Sequence, residues 1–499
     1  MEMDSAVERV PIEIWENIHF FALETWLLPS AGGDILDSIL LFHGECTSVV
    51  EYSRVENVRR RLRSVCRVWK AIVDNLSIDF TLSNFAHETV PSEYYLPRSK
   101  RIEFLPKWKC MCERCPWVFS GDRDASLREY WRLCKTSPDI ITQLKPPFDA
   151  ERARIILLDF PGKDMADYVH QAPRLTAFKG TLSNIYRDKG LEIQTIFNRL
   201  THLTLSDLSP KEMVSAYQLP HLRFLQVSLQ MGPRVHPPQD SYVPLWRWVL
   251  PKLVSLVVRG AVNSIYREDL LQFLRSHSSK VEGLVIDYKD YMTQSLHPLR
   301  FDTDPFRHFL RLKTIGVTFQ TLDLFTKFLD SEDEKKAYTA QPIICESLLL
   351  DDIHKLIGLS QDLVRVYARL CFRLFTLATT LFHRIVIIHS WDELVKIYEA
   401  YVKQRAMRRA RGESIFAIDS ELTFPRIFFE IICRAPNLKI VDRDGTELRN
   451  GDGEGVTFLE KIKLMETDPD ILKGELYPDL VAGRWRFSPP TRFCSSGGY

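Results

Sequence analysis

A short apolar phrase returns along the middle of this chain, and it constrains the fold more than any other feature. It reads Leu-x-x-Leu-x-Val or a near variant over 173–178, 200–205, 222–227, 253–258, 281–286 and 312–317. The leading apolar residues Leu175, Leu200, Leu222, Leu253, Val281 and Leu312 stand 25, 22, 31, 28 and 31 positions apart, a period that belongs to repeat architectures. Each phrase is the length of a short strand whose alternate residues face a shared core. The residues between phrases must then return the chain to the next strand. One such return, Arg267 to Arg275, gathers Leu270, Leu271 and Leu274 on one helical face. Several copies follow a Leu-Pro or Ala-Pro pair, and stacked units of this kind bury what a single unit cannot. Further strands are expected at Arg154 to Phe160, Glu346 to Leu350, Arg384 to His389 and Leu438 to Val441.

The pattern resembles degenerate leucine-rich repeats, without the Asn or Cys of regular repeats and with a drifting period. The resemblance implies an α/β solenoid whose concave strand face captures a target protein. Thr176, Lys179, Thr204, Ser206, Gln226, Ser228, Ser255, Arg259, Asp287 and Thr318 are the expected exposed positions on that face.

Ahead of the repeats lie amphipathic helices. In Val10-Pro11-Ile12-Glu13-Ile14-Trp15-Glu16-Asn17-Ile18, Pro11 suits a first helical turn and the glutamates favour the positive end of the helix dipole. Ile14, Ile18 and Phe21 repeat on one face. Val58, Leu62, Val65, Cys66, Trp69 and Val73 follow helical spacing, with Arg59, Arg60, Arg63, Arg67 and Lys70 opposite them. Val-Pro-x-Glu-Ile-x-x-x-Ile followed by Leu-x-x-Val-Cys-x-x-Trp-x-x-x-Val resembles the F-box, in the form found in fungal F-box proteins. The resemblance implies that Val10, Pro11, Ile14, Ile18, Val65, Cys66 and Trp69 dock a Skp-type linker subunit of a cullin ubiquitin ligase. This sequence departs from the family in spacing: Pro11 and Cys66 stand 55 residues apart, about twice the usual gap. Doubling a loop costs only about 0.6 kcal/mol in closure entropy, so the helices can still meet.

The expected organisation is therefore an F-box-like helical module over 1–85 with an insertion at about 25–57, and a Cys-rich connecting segment over 86–150. The repeat array follows over 151–450 with a helical insertion at about 361–411, and a C-terminal cap and flexible tail over 451–499.

Composition limits the alternatives. With 66 basic and 65 acidic side chains there is no global field to draw the chain to nucleic acid or an anionic membrane, and neither is an expected partner. The N-terminus does not read as a secretory signal, and no apolar run approaches the roughly 20 residues a bilayer requires. Ten cysteines without a regular framework point to a reducing setting, cytoplasm or nucleus. Cys110, Cys112, Cys115 and Cys134 have a spacing that zinc could use, though reduced thiols packed against Trp108, Trp117 and Trp131 are the simpler expectation. Asn450 to Lys461 has the acidic start of a calcium loop but a lysine where the bidentate glutamate belongs. The basic runs Arg59-Arg60-Arg61 and Arg405 to Arg411 read as solvated helix faces. No phosphate-binding glycine loop, nucleophile elbow or His-Glu-x-x-His is present, so the expectation is a non-enzymatic adaptor without a cofactor. The rival readings are a repeat scaffold outside any ligase and a protein organised on zinc at the four cysteines.

Overall fold

The computed structural model describes residues 10–23, 35–42, 46–75, 100–104, 151–158, 169–185, 190–208, 213, 215–231, 243–262, 264–290, 309, 311–317, 345–350, 382–395 and 439–448. They fall in two compact units: Met1–Asp351 with Leu381–Ile388, and Asp352–Thr380 with His389–Tyr499.

The first unit is α/β. Its helices are α1 (Ile12–Ala22), α2 (Ile35–Leu41), α3 (Cys46–Val65), α4 (Arg67–Asn75), α5 (Leu182–Ile185), α6 (Gly190–Phe197) and α7 (Ser264–His277). Its strands are β1 (Arg101–Phe104), β2 (Ile155–Leu158), β3 (Ala177–Gly180), β4 (His202–Leu208), β5 (Phe224–Met231), β6 (Ser255–Val262), β7 (Gly283–Asp290), β8 (Thr314–Val317), β9 (Cys345–Leu350) and β10 (Phe382–Ile387). They lie side by side in sequence order, each parallel to the next, in an open sheet rather than a barrel.

The register explains the repeated phrase. Ile102, Ile156, Phe178, Leu203, Leu225, Leu256, Leu284 and Ile315 are successive cross-strand partners, and all are buried. The last six are the second main apolar residue of each phrase. The first leucine closes a turn. In Ala172-Pro173-Arg174-Leu175, Leu219-Pro220-His221-Leu222 and Leu250-Pro251-Lys252-Leu253 the last N–H donates to the first carbonyl at 3.2, 3.2 and 3.4 Å. Proline stands second, where its fixed φ suits a β-turn, and both end residues are buried. A backbone device recurs as well: the carbonyl just before each strand accepts two N–H groups from the next. Thr176 O takes those of Thr201 and His202, Thr201 O those of Arg223 and Phe224, and Arg223 O those of Val254 and Ser255.

All six copies of the phrase lead from a turn into β3 to β8, and the further strands arise as β2, β9, β10 and, in the second unit, β11 (Lys439–Val441). The expected return helix is α7, with Leu270, Leu271 and Leu274 buried. The expected connecting segment contributes β1, whose Arg101 and Glu103 are fully buried as an ion pair. The helical insertion at 361–411 lies outside the described residues apart from 382–395, and the cap and tail over 451–499 lie wholly outside them.

Candidate partner-docking face

The N-terminal helices form a small packed cluster, with α1 against both α3 and α4. α1 begins at Pro11, whose carbonyl accepts the N–H groups of Ile14 and Trp15 at 3.0 and 3.4 Å. The continuous helix expected over 58–73 is instead two helices that break at Cys66. The physical cause is capping: Cys66 Sγ accepts the Trp69 N–H at 3.4 Å and Cys66 O accepts that of Lys70 at 3.0 Å, so Cys66 starts α4 rather than continuing α3. An Arg63–Asp74 ion pair at 2.9 Å ties the two helices together.

The packing face of α1 is Trp15 and His19, not its isoleucines. Trp15 and His19 each place their ring centroid 4.8 Å from that of Trp69, and His19 is fully buried. Burial holds the His19 pKa below its ordinary value, which favours the neutral ring among these aromatics. Other apolar residues of the same helices are open to solvent: Ile12, Ile14, Ile18, Val65 and Val68 are 53, 48, 45, 56 and 42% exposed. Among the other side chains that the structure describes, Val249 is the one large aliphatic so exposed. Of the residues expected to dock a partner, Ile14, Ile18, Val65 and Pro11 are exposed, and Val10, Cys66 and Trp69 are half-buried, Trp69 with its ring against Trp15 and His19. Ile12 and Val68 join the outward set unanticipated; their spacing put them between the apolar positions of the motif.

Of the insertion expected at about 25–57, the first half of α3 belongs to this cluster and α2 lies elsewhere. α2 is buried along its length, through Ile35, Ser38, Ile39, Leu40 and Leu41, and is seated at the starts of the strands. Phe42, directly after it, stacks on Phe224 of β5 with centroids 5.7 Å apart and lies 6.5 Å from the ring of His202. At the other end Ile35 fills the space above Gly283, where an added Cβ would come within 2.8 Å of the isoleucine. The carbonyls at the end of α2 are held by cations: Arg101 donates to Leu41 O at 2.8 Å and Lys179 to Phe42 O at 3.0 Å. Positive groups at a helix C-terminus also favour its dipole.

This seat changes the expected target face. Lys179, Thr204, Gln226, Ser255, Ser228, Arg259 and Asp287 do lie on the sheet side opposite the leucine row, by register. Thr204 and Ser255 are nevertheless buried, and Lys179 is engaged with Phe42, because the strand starts on this side are covered by α2. Ser206, Gln226, Ser228 and Arg259 remain partly exposed. Thr176 has the wrong parity, its hydroxyl donating to Arg154 O at 3.2 Å, and Thr318 lies outside the described residues.

Cys110, Cys112, Cys115 and Cys134 lie outside the described residues. Among the described residues no group of three or more His, Cys, Asp and Glu is placed to hold a metal ion.

The second unit holds a polar cluster made of residue types that enzymes use, but its bonds are structural. Ser390 and Glu393 form a reciprocal capping box: Glu393 N–H donates to Ser390 Oγ and Ser390 N–H to Glu393 Oε2, both at 3.2 Å. Arg443 pairs with Glu393 at 2.8 Å. Asp442 accepts N–H groups from Thr446, Asp444 and Trp391 at 2.8, 3.0 and 3.2 Å, and the Trp391 indole donates to Thr446 O at 2.9 Å. Burial raises the Asp442 pKa. Burial also opposes the Glu393 charge, but His389 and Arg443 outweigh it and hold that carboxyl below its usual range.

Among the described residues no helix is long and apolar enough to cross a membrane. No protein-family model matches the chain, and no curated protein matches it in sequence.

Proposed function

We propose that this chain is a non-catalytic adaptor: α1, α3 and α4 dock the Skp-type linker subunit of a cullin ubiquitin ligase, and the repeat sheet presents a target protein. The observation that carries the reading is the outward apolar set Ile12, Ile14, Ile18, Val65 and Val68 on helices whose sequence resembles the F-box. Water-exposed branched aliphatics concentrated on one packed cluster mark a surface that gains by being covered. The ordered parallel strands and their repeated turns support a leucine-rich-repeat-like solenoid. Within it, Ser206, Gln226, Ser228 and Arg259 are the accessible positions for a target. The reducing cytoplasm or nucleus suits such an adaptor, and its place is in ubiquitin conjugation, with catalysis supplied by partners.

The test is binding of purified linker subunit to the full chain and to an Ile14→Asp, Val65→Asp variant. Both positions are solvent-exposed, so the variant keeps its fold, while a charge in the docked face weakens binding by about 2 kcal/mol or more, roughly thirtyfold. Wild type binding the linker no better than the variant sinks the ligase reading and leaves the scaffold one.

A further inference from the structure

The long insertion between the docking helices has a structural job. We propose that α2 and α3 form a clasp and strut that fasten the docking helices to the strand starts and hold the docking face at a fixed stand-off from them. The clasp is a built seat: a glycine at position 283 admits Ile35, Phe224 receives Phe42, and Arg101 and Lys179 hold the last carbonyls. Three residues join Phe42 to Cys46, so α3 begins within about 15 Å of the seat. α3 has 20 residues and is therefore about 30 Å long. Its far end carries Val65, and α1 and α4 pack around it. The insertion thus accounts for the doubled gap between Pro11 and Cys66: it supplies α2 and the first half of α3. The stand-off has a use only under the adaptor reading, because ubiquitin transfer needs docked linker and bound target at a set separation. The coupling itself is measurable with no partner at all.

The experiment is amide hydrogen exchange on the full chain, followed by mass spectrometry. In an Ile35→Asp, Phe42→Ala variant the α1 and α4 amides exchange about tenfold or more faster, while those of β5 to β7 change by only a few fold. Equal acceleration of helices and strands overturns the proposal, since α2 would then be ordinary shared core; no acceleration in α1 and α4 overturns it too. If that variant does not fold, an Ile35→Cys, Gly283→Cys lock decides. The two Cβ positions, 2.8 Å apart, reach disulfide spacing of about 3.5–4.5 Å with a shift of about 1 Å. The oxidised lock slows exchange in α1 and α4 relative to its reduced form; identical exchange in the two forms overturns the clasp.

Discussion

Trp69 and Ile14 have different surroundings, and the amphipathic pattern alone merges their roles. Trp69 packs against Trp15 and His19, whereas Ile14 is 48% exposed. Truncating Trp69 to alanine therefore removes packing from within the helical cluster and costs it about 3 kcal/mol or more, read as earlier loss of α1 and α4 exchange protection in urea. Ile14→Ala, by contrast, leaves that protection within about 0.5 kcal/mol of wild type. Gly260 carries a different constraint. Its φ is +109°, and a Cβ there would lie 2.1 Å from Leu229 O, where β6 approaches β5. Gly260→Ala is expected to destabilise the first unit by about 2 kcal/mol or more, measured as a lower urea midpoint at unchanged slope. The apolar spacing of α1 was legible in the sequence. Which stripe faces the neighbouring helices was not, because Trp15/His19 and Ile14/Ile18 both recur at i, i+4.

Elements defined by repetition were the most legible. The strands β3 to β8 follow from the phrase itself, since a leucine two residues before each strand closes the turn and the next one enters the core row. β1 was missed because Arg101 and Glu103 alternate with apolar residues as on a surface strand. Their burial depends on pairing with each other and, for Arg101, on the end of α2, a segment 60 positions earlier in the chain. The α3/α4 break was missed because a cysteine is a rare cap and the apolar periodicity continues across it. In the second unit the Ser390-x-x-Glu393 signature was written in the sequence, followed by the apolar Leu394 and Val395. It caps a helical turn that Trp391 joins to the Asp442 loop. Ser390→Ala removes one half of the box and is expected to cost this unit about 1 kcal/mol, visible as faster exchange of the Glu393 amide with the first unit unaffected.

At the scale of the whole molecule the two units answer acid in different windows. In the first unit, burial and the charge of Arg223 push the His202 pKa down to about 4, and burial and Lys280 do the same to His277. Both pKa values are depressed on folding, so the stability each supplies is complete above the unfolded value of about 6.5 and is lost as pH falls towards 4. Below that both states are protonated and the loss stops. Each histidine can contribute up to about 3 kcal/mol over this window. In the second unit the Glu393 pKa is also depressed, below the ordinary carboxylate value of 4.5, so its contribution disappears only at lower pH. Asp442, whose pKa is raised, acts in the opposite sense: its buried charge weighs against folding at neutral pH and is relieved by protonation. Acidification from pH 7 to 5 should therefore loosen the sheet unit while sparing the cap around Trp391. Exchange protection followed separately in β4 to β7 and in 389–395 measures this. A His202→Phe, His277→Leu variant should flatten the response of the sheet between pH 6.5 and 4, because neither replacement titrates and neither buried ring needs a charge. His202→Phe keeps an aromatic ring beside the stacked Phe42 and Phe224, so the variant keeps the α2 seat, and a pH response left unchanged by it would place the acid sensitivity in other groups.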